Sequence, residues 1–133
     1  MELERMGDYA EGIGKVSLIV GEESLHGAPP ELQEMADRGM DMLRRSLTAL
    51  VERDTDAASQ VWNDDDAVDV LYDGVVKELL QGMAHTPSQI ERGTHLLWVA
   101  HDLERIADRA TNIAERVIFL VSGKLVEINV SRY

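Results

Sequence analysis

Asp102-Leu103-Glu104-Arg105-Ile106-Ala107-Asp108-Arg109-Ala110-Thr111-Asn112-Ile113-Ala114-Glu115 is the stretch whose reading decides the fold. Leu103, Ala107, Ala110 and Ile113 recur at steps of three and four, which aligns them along one face of an α-helix. The stripe extends back through Ile90, Leu97 and Ala100 and forward through Val117 and Leu120, until Gly123 offers a C-terminal cap. Upstream, Thr86-Pro87-Ser88-Gln89 has the form of a capping box with proline at the first helical position. The spacing predicts one long amphipathic helix.

Working outward, a preceding helix is predicted from about Thr55 to Gln81, with Asp54 as its N-cap and Gly82 as its end. Its apolar stripe is Ala58, Val61, Val68, Leu71, Tyr72, Val75 and Leu79. Before it, a helix opening at Pro30 and ending near Arg53 carries Leu32, Met35, Ala36, Gly39, Leu43, Leu47 and Leu50 on one side. His26-Gly27-Ala28-Pro29-Pro30 breaks the chain ahead of that. The first helix holds Leu3, Met6, Ala10, Ile13, Ser17 and Val20 in register, and begins with no capping sequence before it. Its Gly7, Gly12 and Gly14 each cost about 1 kcal/mol of helix propensity, which suggests that another backbone approaches closely there. No strand pattern competes, and Lys124 to Tyr133 reads as a short mixed tail. The fold class is all-α, an antiparallel helical bundle with short connections.

The deciding stretch occurs twice. Glu2-Leu3-Glu4-Arg5-Met6-Gly7-Asp8-Tyr9-Ala10 matches the segment from Asp102 to Ala110 at a constant shift, and Ile13 against Ile113 extends the match. Core periodicity accounts for the paired apolar positions. It does not account for Glu4, Arg5 and Asp8 recurring as Glu104, Arg105 and Asp108, which points to duplication of a helical unit.

Composition narrows the function. The 133 residues contain no cysteine, which removes disulfides, thiolate metal sites and cysteine nucleophiles. Thirteen basic residues against 25 acidic ones leave a net charge of −12, a surface that repels nucleic acid and anionic lipid. No apolar run approaches a membrane span, and the acidic N-terminus is unlike a signal peptide, so a soluble, intracellular protein is expected. No catalytic triad or glycine-rich phosphate loop is visible, so no enzymatic activity is expected.

The acids carry the most chemistry. Glu4 and Asp8, and their counterparts Glu104 and Asp108, lie four residues apart and project from one helix face. On the third helix Asp65 and Asp69 repeat that step, with Asp64, Asp66 and Asp73 nearby. With 25 acids in the chain, about five such pairs arise by chance. Recurrence within the duplicated segment, and a third pair on a neighbouring helix, single these out as ligands for a hard cation such as magnesium, manganese or iron. Glu23 and His26 form a single Glu-x-x-His step, where a di-iron bundle needs two. His101, beside Asp102 and Glu104, is a candidate for the edge of a metal shell or an ordinary surface histidine.

The run from Leu103 to Glu115, its continuation Val117 to Lys124, and Val68-Asp69-Val70-Leu71-Tyr72 resemble the signature helices of the PhoU family. That resemblance implies tandem three-helix repeats: a complete repeat over 28–123, the last helix of an incomplete first repeat over 1–27 that lacks its first two helices, and a tail at 124–133. It implies a cytoplasmic regulator of phosphate uptake and phosphate-starvation signalling, docking to phosphate ABC transporter components and a sensor histidine kinase, and meeting the membrane only through them. It also implies that Asp65, Asp69, Glu104 and Asp108 hold divalent or trivalent metal ions (iron, manganese, magnesium or zinc), with Glu4 and Asp8 belonging to a second site. Here Ala107 stands where the family has glycine. The first helix would leave apolar surface uncovered, so a homo-oligomer is expected. The alternative function is a carboxylate-rich metal-binding bundle with a storage or redox role.

Overall fold

The structure, a computed structural model, describes residues 2–25 and 27–123, without the side chains of residues 16–25. Four helices follow one another: α1 (Glu2–Leu25), α2 (Pro30–Glu52), α3 (Thr55–His85) and α4 (Ile90–Ser122). A single 3-10 turn, Pro87–Gln89, precedes α4. The all-α bundle expected from the periodicity is what forms.

The helix ends have local causes. Pro30 occupies the first turn of α2, where its missing N–H breaks no hydrogen bond. Arg53 leaves α2 in the left-handed conformation at φ 55°, and its N–H bonds back to the Ala49 carbonyl. The Asp54 carboxylate then accepts from the Ala57 N–H at 3.0 Å and starts α3. That cap completes a two-residue turn between antiparallel helices, so Asp54→Ala is expected to destabilise the protein by about 1 kcal/mol, read as a lower urea midpoint. At the far end Gly123 closes α4 at φ 70° with its N–H on the Phe119 carbonyl, the cap expected there.

Between α3 and α4 the expectations need correction. Gly82 does not end α3, which continues one turn to His85; Gly82 instead accepts the Thr86 N–H through its carbonyl. Thr86 makes no side-chain capping bond, and the Pro87–Gln89 turn comes before α4 instead of opening it.

The buried stripe of α2 is Leu32, Met35, Gly39, Met42, Ser46 and Ala49. In its second half the core therefore lies one position before the expected Leu43, Leu47 and Leu50. Leu43 and Leu47 pack at the margin and Leu50 is exposed. Small residues on the inner line permit close helix approach, and the leucines cover its flank.

α4 is the centre of the molecule, packing against α1, α2 and α3, while α2 and α3 also pack on each other. Its buried face accordingly widens from Ala107 onward to include Asp108, Ala110, Thr111, Ile113, Ala114, Val117 and Ile118. α1 lies on α4 with Met6 buried. Glu2 sits beside Asn112 at one end and Gly12 beside Asp102 at the other, so the two helices run antiparallel. A Cβ on Gly12 would lie 2.8 Å from Asp102 Oδ2, so this glycine is set by a side chain, not by a neighbouring backbone. Gly7 and Gly14 have no such neighbour. Leu3 is 55% exposed on α1.

Candidate metal centre

Asp65 occupies a core position. It falls between Val61 and Val68 on the buried line of α3 and, like them, has no exposed surface. Asp69 follows one turn later, half-buried. Across the interface α4 presents Asp108, 9% exposed, and Glu104 one turn before it. One oxygen each from Asp65, Asp69 and Asp108 come within 4.8 Å of one another. Glu104 joins through its contacts: it shares a side-chain hydrogen bond with Asp108 and acts electrostatically on Asp69.

The electrostatics follow from crowding acids in a dry interface. Burial pushes the Asp108 carboxyl up to about 8, helped by the hydrogen bond to Glu104 and the charges of Glu104 and Asp69; Arg105 works against it. Burial also raises Asp69 to about 6, with Glu104, Asp66 and Asp73 adding to the effect. Tyr72, one turn on, is raised by burial and then by Glu104 and Asp73, so its phenol stays protonated beside the cluster. Like charges held this close in a low-dielectric interface favour either protonation or a shared cation.

The donor set fits a cation. It is all oxygen, which suits hard ions, and the ligands come from two helices with paired i, i+4 spacing. Asp108 Oδ1 is buried and makes no hydrogen bond, an acceptor atom placed for a ligand.

The structure sorts the other acids. Asp64 is drawn away into an ion pair with Arg45, which also holds Asp41 at 2.9 Å on α2. Asp66 and Asp73 are exposed. Glu4 and Asp8 are exposed on α1 and do not enter the group of Asp65, Asp69 and Asp108. His101 is exposed, its ring 6.4 Å from that of Tyr72, and is not among the clustered ligands. The Glu23–His26 step lies outside the described side chains. Sequence reasoning missed that Asp65 lies in the apolar core itself. The signal was present as a seven-residue gap between Val61 and Val68 in the expected stripe, which Asp65 fills at helical spacing.

Comparison with known proteins finds relatives in both sequence and fold. A PhoU domain profile matches residues 32–117, which run through α2, α3 and most of α4. A phosphate-specific transport system accessory protein PhoU homolog of Clostridium acetobutylicum is 40% identical over 128 residues, covering 96% of this chain and 58% of that protein. The homolog of Caulobacter vibrioides is also 40% identical, covering 93% of this chain and 54% of its own length. The chain thus spans a little over half the length of these relatives. The crystal structure of PhoU from Pseudomonas aeruginosa superposes with a TM-score of 0.86 at 35% identity, over 92% of this chain and 59% of that one. That of the phosphate transport system regulatory protein PhoU from Streptococcus pneumoniae gives 0.84 at 34% identity, over 96% and 60%.

Proposed function

The chain belongs to the PhoU family, and from that premise we propose that it is a regulatory accessory protein of phosphate uptake that works by docking and turns over no substrate. The partners in this reading are phosphate ABC transporter components and a sensor histidine kinase, met in the cytoplasm at the membrane face. Among the described residues no helix is long and apolar enough to cross a membrane, which agrees with contact through partners. Leu3, exposed on α1, would be one point of contact for a second copy in a homo-oligomer.

The convergence of Asp65, Asp69 and Asp108 carries the second part of the proposal, a metal site that joins α3 to α4. Asp65 and Asp108 would bind from the core side and Asp69 from the half-exposed side, and Glu104 would join them as a further oxygen ligand once the proton it shares with Asp108 has left. A bound iron, manganese, magnesium or zinc ion would supply the positive charge that lets these carboxylates ionise together. Glu4 and Asp8 are proposed for a second site that needs carboxylates from outside the described residues.

Metal analysis of the purified protein, repeated on Asp69→Ala and Glu104→Ala, tests this reading. Both variants are expected to lose metal affinity at least about tenfold while keeping their helical content. Unchanged metal content in both would remove the site. Binding to the transporter components is expected to be measurable with wild type; ferroxidase turnover would instead favour the storage or redox bundle.

A further inference from the structure

A second concentration of charge lies in the cleft between α1 and α4. Glu2, Arg5, Arg109, Asn112, Glu115 and Arg116 line a cavity of about 350 Å³. Three of the chain's 13 basic residues meet there, in a protein whose net charge is −12.

The donors already converge on an anion, the carboxylate of Glu2. Arg109 Nη1 lies 3.6 Å from Oε2, Arg116 Nη2 lies 3.7 Å from Oε1, and Asn112 Nδ2 donates to Oε2 at 3.5 Å. These separations exceed the roughly 2.7–2.9 Å of a close charge-assisted bond, so the clasp on Glu2 is loose. The Arg109 side chain is only 11% exposed, and its Nε is buried without a hydrogen-bond partner. A buried guanidinium N–H left unmatched is costly, and an oxyanion relieves that cost.

We propose that this cleft binds a small free tetrahedral dianion of the sulfate or phosphate type, which displaces Glu2 from Arg109, Arg116 and Asn112. A monocarboxylate would only repeat what Glu2 provides. A dianion brings twice the charge, and more acceptor oxygens than Glu2 offers to the Arg109 Nε and the three donors already engaged. The site shares no residue with the carboxylate cluster.

The test uses chelator-treated protein, so that no bound metal can capture the anion. Sulfate, phosphate, acetate and chloride are titrated at constant ionic strength while the Asn112 side-chain amide is followed by NMR. Sulfate and phosphate are expected to give saturable shifts and acetate much weaker ones. Glu2→Gln removes the internal competitor and is expected to tighten sulfate binding about tenfold. Arg109→Gln should weaken it by a similar factor. Arg116→Gln should also weaken it, and because the Arg116 side chain is 67% exposed its replacement leaves the packing intact. Shifts that chloride reproduces, acetate binding as tight as sulfate, or affinity unchanged in both Glu2→Gln and Arg116→Gln would overturn the proposal.

Discussion

Asp65→Leu is expected to stabilise the metal-free protein by about 1–4 kcal/mol and to abolish metal binding at the α3–α4 site. The two effects have one origin. Asp65 has no exposed surface and stands in the apolar line of Val61 and Val68, with Asp69 and Asp108 oxygens within 4.8 Å. Keeping a carboxylate there is expensive when no cation is present, because charge is removed from water and placed beside like charge. Leucine is larger than aspartate yet close enough in shape to pack where the carboxylate stood. In chelator-treated protein the urea midpoint should rise; adding manganese should then produce no further shift, whereas wild type gains about 2.7 kcal/mol at a hundredfold excess over Kd. A lower midpoint for the chelated variant would show that Asp65 supports the core without a metal.

The second large effect is on pH. Asp69 titrates near 6 and Asp108 near 8, and both must lose protons to serve as ligands. Metal affinity should therefore climb steeply from pH 6 to pH 8, by up to about tenfold per unit for each proton displaced. The metal-free protein should do the reverse. A carboxyl raised by folding holds its proton longer in the native state than in the unfolded chain. Stability from that source is full below about pH 4 and is lost as pH rises through the folded values toward 8. The slope is at most about 1.4 kcal/mol per unit per proton, and solvent screening makes the share of half-exposed Asp69 smaller. Burial also raises Asp102 and Glu115, which act in the same direction. Urea midpoints at pH 5 and pH 8, with chelator and with excess manganese, should show the order of stability reversing when metal is present.

Much of this was legible in the sequence, for reasons that particular residues make plain. Helical periodicity survives in any single strand of text, so the four helices, the Asp54 cap and the Gly123 cap could be read directly. The end of α3 could not, since Gly82 is compatible with a helix interior when the next turn packs. The inner line of α2 was misplaced because Met42, Ser46 and Ala49 are less hydrophobic than the leucines beside them, and close approach to α4 favours small residues over greasy ones. Asp65, Asp69 and Asp108 could be nominated from spacing and from the duplicated segment. What spacing could not say is that Asp64 would turn to Arg45, or that Glu2 would meet Arg109 and Arg116 more than a hundred positions away. Those pairings depend on how helices lie against each other.

The antiparallel seating of α1 on α4 has one more consequence. The shift that aligns the two matching segments pairs Glu2 with Asp102, and Gly12 with Asn112. Glu2 faces Asn112, and Asp102 faces Gly12, so the two ends of the contact are the same pairing seen twice. In an isologous dimer, too, each contact recurs with the two partners exchanged. The two ends differ in size: the amide at one end reaches an acid, while the glycine at the other only makes room for one.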